Sequence, residues 1–188
     1  LNYRGGSFLA DYSDETVALC RIRNVKFEAL PDGAVSNILT EISRSDVNME
    51  QIKLEKAPKI AVYAPKTYKP WDDAVMLVLT YAEIKYTVVY DEEILTGALK
   101  DYDWLHVHHE DFTGQFGKFY SAYKNAPWYV NQVAEFNALA QKMGYGKVSH
   151  LKLAVAKTMK KFVEDGGFMF AMCSATDSYD IALAAEGV

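Results

Sequence analysis

Short apolar runs alternate with segments of helical period from residue 58 onward. The apolar runs are residues 60–64, 86–90, 104–108 and 168–172. They are rich in aliphatic and aromatic side chains, which predicts four buried strands. Between the first two runs, Trp71, Val75, Leu79 and Ala82 recur at helical spacing and predict one apolar helix face. Strands and helices that alternate in this way predict a mostly parallel sheet with helices on both sides.

The pattern before residue 58 is weaker. Ser13 can cap a helix that runs to about Arg23, residues 25–29 are strand-like, and Asp32 can cap a second helix. Residues 43–56 are polar and without a clear period, which predicts a connection to the main sheet. We therefore expect a single α/β domain with an amino-terminal segment, residues 1–57, and a core, residues 58–188.

Composition and charge exclude several classes of protein. The 188 residues are 50% hydrophobic and 24% charged, as in ordinary globular domains, and the longest apolar runs are too short to span a membrane. A net charge of −5 without a basic block argues against a nucleic-acid partner. Two cysteines are too few for a disulfide scaffold. Because the chain starts at Leu1 without a Met, we expect it to be part of a longer protein.

The carboxyl ends of the predicted strands are the places to look for a ligand site, since parallel sheets bind ligands there. Cys173 follows the fourth run and precedes the last predicted helix, which continues through Ala185. Backbone N–H groups and the dipole at a helix start favour a thiolate and could hold an oxyanion. The alternative is that Cys173 is a small buried residue ending a core strand. No histidine follows it, and His150 is expected to be exposed near a helix start.

The phrase from Phe162 to Phe170 reads as a helix end, two glycines and a strand. With the stretch from Pro58 to Val188, it resembles the class I glutamine amidotransferase-like superfamily, which includes the ThuA-like trehalose-utilisation proteins. The resemblance implies a flavodoxin-like three-layer sandwich with a mostly parallel sheet. It places Cys173 at the nucleophile position, with a general base beyond Val188.

A narrower resemblance covers most of the chain. Residues 2–8, 104–115 and 168–177 are similar to a bacterial family usually called uncharacterised or labelled asparagine synthetase B. That similarity implies an export signal, further sequence at both ends, and a periplasmic or exported protein. The label itself implies no mechanism, because those synthetases use a different fold with an amino-terminal cysteine nucleophile.

Polar residues crowd the end of the third run, where His106, His108, His109 and Glu110 stand close together. Two imidazoles and a carboxylate could hold a divalent metal if a further ligand joined them. We predict instead no metal and no cofactor. His108, His109 and Glu110 would then form a rim that faces Cys173 and binds or protonates a substrate.

Residues 110–127 form an eighteen-residue connection without clear periodicity, which is long enough to suggest a function. The aromatic residues of this connection and of the helix start that follows include Phe112, Tyr120 and Trp128. Aromatic faces with hydroxyl groups suit a glycan or a partner protein. Alternatively, these rings pack the connection down over the sheet.

The sequence leaves two hypotheses for function. In the first, Cys173 attacks an amide or ester carbonyl, and the substrate contacts Ser174, Thr176 and Asp177 as well as the aromatic connection. In the second, the chain is a non-catalytic domain of an exported protein and binds a glycan or a protein through the same cleft or the aromatic connection.

Overall fold

A computed structural model describes residues 8–49, 51, 56–66, 69–108 and 117–187, with backbone alone at residues 117 and 118. The chain divides into two compact units, Leu1–Lys56 and Ala57–Val188. No helix among the described residues has both the length and the apolar character needed to cross a membrane.

The amino-terminal unit contains α1 (Asp14–Ile22) and α2 (Ala34–Ile42). The predicted cap of α1 is confirmed, since Ser13 Oγ accepts a 3.0 Å hydrogen bond from the Thr16 N–H. The predicted cap of α2 is wrong. Gly33 is the cap residue, with a left-handed φ of 80°, because glycine adopts this conformation without steric penalty. Residues 25–29 are also not a strand, and the described part of this unit contains none.

The second unit contains all four predicted strands and most of the predicted helices. In chain order its elements are β1 (Ile60–Tyr63), α3 (Ala74–Tyr81), β2 (Tyr86–Val89), α4 (Asp91–Leu95), β3 (Trp104–Val107), α5 (Gly117–Tyr123), α6 (Pro127–Lys142), α7 (Val148–Glu164), β4 (Phe168–Ala171) and α8 (Ser174–Ala184). The strands form one parallel sheet in the order β2-β1-β3-β4. The α/β prediction with a parallel sheet is therefore confirmed.

Both faces of the sheet carry apolar side chains, and different helices cover them. Tyr63, Leu105 and Val107 pack on one side with residues from α4, α7 and α8. Ile60 and Val62 point to the other side and pack with α3. The alternation of side chains along each strand produces this division, and it gives three layers.

The helix predicted to include Trp71 begins later than expected. Pro70–Asp72 forms a separate 3-10 turn, and α3 starts only after Asp73. Trp71 therefore lies outside α3 and is exposed, while Met76 is the buried residue of that helix. α6 begins at Pro127, where a missing N–H is harmless.

The connection after β3 is also not free of secondary structure, because Gly117–Tyr123 forms α5. Phe119 and Tyr123 lie one helical turn apart with ring centroids 6.3 Å from each other. A helix of seven residues is too short to produce a clear periodic signal, which explains why the sequence pattern did not predict it.

The fourth strand differs from the prediction of a buried strand. Phe168 and Phe170 are 57% and 44% exposed. Both lie on the sheet face that α3 covers near β1, and among the described strands β4 pairs only with β3. The two rings therefore remain open to solvent beyond the reach of α3.

A glycine sets the approach of α7 to β4. A Cβ atom added at Gly167 would lie 2.3 Å from the ring of Phe162, the last buried residue of α7. The chain can thus turn from helix to strand directly against that ring only because Gly167 has no side chain. This close turn brings β4 alongside β3 and leads the chain to Cys173.

Candidate functional site

Cys173 lies at a sharp bend between β4 and α8. Its backbone has φ 56° and ψ −141°, a conformation that residues with a side chain rarely adopt, and its side chain is exposed. Asn24 and Glu83 also have positive φ, but each follows a helix end, where this is common. Cys173 instead precedes a helix. The alternative of a buried residue that ends a core strand is therefore wrong.

The first turn of α8 lies next to the exposed thiol. α8 is eleven residues long, and its first backbone N–H groups point toward the bend. Ser174 is half-buried, and Thr176 and Asp177 are exposed on the same turn. These three residues, which the sequence proposed as substrate contacts, therefore surround one helix start. Positive partial charge at such a start stabilises a thiolate or an oxyanion.

A buried histidine–aspartate pair lies at the carboxyl edge of the same sheet. His108 directly follows β3, and its Nε2 is hydrogen bonded to Asp73 Oδ2. Neither side chain has any solvent exposure. His108 is therefore not part of an open rim, as we had predicted, but is held inside the protein by a carboxylate.

The Asp73 carboxylate is fixed from two directions. Its Oδ1 accepts a 2.8 Å hydrogen bond from the Met76 N–H and so caps α3, while Oδ2 binds the His108 ring. A carboxylate at a helix start is stabilised there by the helix dipole. Asp73 thus joins the start of α3 to the end of β3 and orients the imidazole.

His108 and Cys173 follow neighbouring strands. Val107 pairs with Ala171, and the Met172 N–H donates a 3.0 Å hydrogen bond to the Val107 carbonyl. His108 therefore lies opposite Met172, one residue before Cys173. Neighbouring strands are about 4.8 Å apart and consecutive Cα atoms about 3.8 Å, so the Cα atoms of His108 and Cys173 lie within roughly 9 Å.

The ring of His106 lies next to the ring of His108 on the same face of the sheet. It stacks on Phe170 at a centroid distance of 5.4 Å and lies 5.4 Å from the ring of His108. Burial lowers the pKa of the imidazole, the neighbouring His108 lowers it further, and Asp73 opposes both effects. The net shift is downward, so His106 is neutral at pH 7. Its Nε2 has no hydrogen-bond partner among the described residues.

The described residues do not assemble a metal site. No group of three or more histidine, cysteine, aspartate or glutamate side chains among them has a geometry that could hold a metal ion. His109, Glu110 and Phe112, which we had predicted as site residues, lie outside the described residues.

A second buried polar cluster joins the ends of β1 and β2 to α7. Lys152 Nζ lies 2.7 Å from Asp91 Oδ2 and donates to the hydroxyls of Tyr63 at 3.0 Å and Tyr90 at 3.2 Å. The Tyr63 hydroxyl donates a 2.6 Å hydrogen bond to Asp91 Oδ1. Lys152, Asp91 and Tyr63 have no solvent exposure. This network pins α7 to the carboxyl edge of the sheet.

Aromatic side chains gather where α5 meets α6. Trp128 contacts Phe119, Tyr123 and Tyr129 at centroid distances of 6.0, 5.3 and 5.7 Å. Trp128 is nevertheless 49% exposed, and Tyr120 is 58% exposed. The rings thus hold one another in place and still present a large aromatic surface to solvent.

Sequence reasoning missed Asp73, Asp91 and Lys152. A signal existed for Lys152, because it shares an α7 face with Val148, Val155 and Met159. A lysine within an apolar stripe indicates a buried partner. Asp73 directly precedes the apolar segment that forms α3, and aspartate is a preferred residue at a helix cap. Its contact with His108 could not be predicted from the sequence pattern. The prediction that His150 is exposed near a helix start is confirmed.

No family model matches the chain, and the searches of curated proteins and of solved structures found no significant match.

Proposed function

We propose that the chain is an amidotransferase-like domain that acts as a cysteine-dependent hydrolase on an amide or ester, with Cys173 as the nucleophile. The backbone conformation of Cys173 carries this proposal. A residue with φ 56° and ψ −141° is strained by about 1–3 kcal/mol, and such strain in an exposed cysteine at a strand-to-helix turn is typical of a nucleophile elbow.

The surroundings of Cys173 support the same role. The start of α8 offers backbone N–H groups to a developing oxyanion, and Ser174, Thr176 and Asp177 lie on that turn to contact the substrate. His109 and Glu110 remain predicted contributors to the same site.

We also propose that the second unit is a flavodoxin-like sandwich. The strand order β2-β1-β3-β4 and the helices on both faces are compatible with a flavodoxin-like sandwich of the class I glutamine amidotransferase type. In such sheets the ligand crevice lies at the carboxyl ends of the strands, where Cys173 is found.

Alkylation by iodoacetamide tests the nucleophile. Labelling of Cys173 and Cys20 is followed by mass spectrometry at pH 7, in the folded chain and in urea. Exposure alone can raise the rate of a folded cysteine only to its unfolded value. We expect Cys173 to react faster folded than unfolded and Cys20 to react more slowly folded. A folded Cys173 that reacts no faster than in urea contradicts the proposal.

Ester hydrolysis provides a second readout. The wild-type chain should release p-nitrophenolate from p-nitrophenyl acetate in a burst equal to one equivalent of Cys173. Cys173→Ser should abolish the burst, and Cys20→Ser, the matched control, should retain it.

The exposed aromatic surface around Trp128 favours a second candidate function, glycan binding. Indole and phenol rings that are fixed by their neighbours and half open to solvent are suited to stack on sugar rings. We expect soluble α- or β-glucans to retard the chain in affinity electrophoresis. Trp128→Ala should remove the retardation, while Trp71→Ala, which alters another exposed tryptophan, should preserve it. Equal mobility with and without glucan contradicts this function.

A further inference from the structure

We infer that His108, held by Asp73, is the general base for Cys173, so that the acid–base pair of the reaction lies within the described residues. His108 and Asp73 have this role only if Cys173 is the nucleophile proposed above. The resemblance to the class I glutamine amidotransferase-like superfamily had implied a base beyond Val188.

The hydrogen bond to Asp73 distinguishes His108 from the other histidines. Of the three histidines that the structure describes, only His108 binds a carboxylate. His106 is stacked on Phe170 and has a lowered pKa, and His150 is exposed on α7. A base in nucleophilic catalysis needs an orienting partner, and Asp73 is the partner that the described residues supply.

The pairing also fixes which nitrogen can accept a proton. The Asp73 carboxylate can only accept, so Nε2 carries the N–H and Nδ1 is the nitrogen that remains to take up a proton. Asp73 itself cannot rotate readily, because its other oxygen caps α3 through the Met76 N–H. The imidazole is therefore held in one tautomer and one orientation.

The strand register places His108 beside the residue that precedes the nucleophile. His108 lies opposite Met172 on the neighbouring strand, and Cys173 is the next residue. Cys173 lies beyond the last residue of β4, and its positive φ interrupts the extended backbone, so the alternation of β4 does not fix the side of the sheet on which its thiol lies. Catalytic hydrogen bonds commonly tighten only when substrate is bound.

The proposed hydrolysis needs no reactant other than the substrate and water. The Cys173 thiol gives its proton to His108 Nδ1, and the sulfur forms a bond to the substrate carbonyl carbon. The bond to the amine or alcohol breaks, and that group leaves with the proton from His108. Water then attacks the thioester carbon and gives a proton to His108. The carbon–sulfur bond breaks, the carboxylic acid leaves, and the thiol recovers its proton.

Asp73→Asn tests the positioning role. Asparagine is nearly isosteric and caps a helix about as well as aspartate, so α3 should be kept. We expect the burst rate with p-nitrophenyl acetate to fall by about 10²- to 10⁴-fold, as expected for loss of an oriented base. Asp72→Asn is the matched control, because Asp72 is exposed and caps only the preceding 3-10 turn. It should keep the wild-type rate.

His108→Ala tests the base itself, through rescue. Imidazole added to this variant should restore part of the burst rate, and the gain should grow with imidazole concentration. Wild-type rates in Asp73→Asn and His108→Ala, or a reduced His108→Ala rate that imidazole does not raise, would overturn the inference while Cys173 still labels rapidly. A wild-type chain with no burst and slow labelling of Cys173 would instead reject the proposed function.

Discussion

Lys152 Nζ and Asp91 Oδ2 lie 2.7 Å apart in the interior of the second unit, and neither side chain reaches solvent. Two tyrosine hydroxyls complete the network, and the Lys152 ammonium also lies 4.5 Å from the centroid of the Tyr90 ring. A buried ion pair of this kind adds little net stability, but removal of one partner leaves the other charged and desolvated.

Lys152→Met should therefore destabilise the chain strongly. The Asp91 carboxylate would keep only the Tyr63 hydroxyl among the contacts described above, and we expect the free energy of unfolding to fall by about 3–5 kcal/mol. Urea denaturation measures this change. Lys157→Met is the control, since Lys157 is a surface residue of the same helix and pairs with Glu186, which follows α8. Its effect should stay below about 1 kcal/mol.

The double variant Lys152→Met/Asp91→Asn should recover part of the lost stability, because no uncompensated charge then remains buried. Equal losses for Lys152→Met and Lys157→Met would show that the network does not hold α7 to the sheet.

Cys173→Gly should stabilise the fold and abolish thiol chemistry in the same variant. Glycine accepts φ 56° and ψ −141° without strain, so the relief of about 1–3 kcal/mol exceeds or offsets the entropic cost of a glycine, about 0.5–1 kcal/mol. We expect a net gain of up to about 2 kcal/mol in the free energy of unfolding.

Cys173→Ser is the control for that gain, because serine keeps the Cβ atom and with it the strain. A Cys173→Gly chain that is less stable than the serine variant would mean that the bend stores no strain.

His106 should make the stability of the fold fall under mildly acidic conditions. Its pKa in the folded chain lies below the ordinary value of 6.5, mainly because of burial, so the unfolded chain binds a proton more readily. The contribution of His106 to the free energy of unfolding is constant above about pH 6.5. It is lost as pH falls from there to the folded pKa, with a slope of at most about 1.4 kcal/mol per pH unit.

Urea denaturation at pH 7.5 and pH 5.5 measures this loss. His106→Phe, which preserves a ring over Phe170, should reduce the difference between the two conditions. His150 is exposed, so the control variant His150→Gln should show the same difference as the wild type. An unchanged pH dependence in His106→Phe would contradict the role of His106.

The strands could be predicted from the sequence because each coincides with a short apolar run. The bend at Cys173 could be predicted because the fourth run ends and a helical segment begins there. It could not predict the Asp73–His108 pair, whose members are 35 positions apart in the chain. Such contacts depend on how β1 and β3 come together with α3, and hydrophobic period carries no information about them. For the same reason the sequence could not identify Asp91 as the partner of Lys152. The position of Lys152 on an apolar helix face, in contrast, can be recognised from the sequence.

The outer side of β4 is an edge of the sheet among the described residues. Its backbone N–H and C=O groups on that side have no strand partner among the described residues, and two phenylalanine rings lie beside them. An edge of this kind is a template for a strand from another molecule. Self-association of this chain should therefore begin along β4, and a lysine in place of Phe168 is the substitution best suited to keep separate molecules apart.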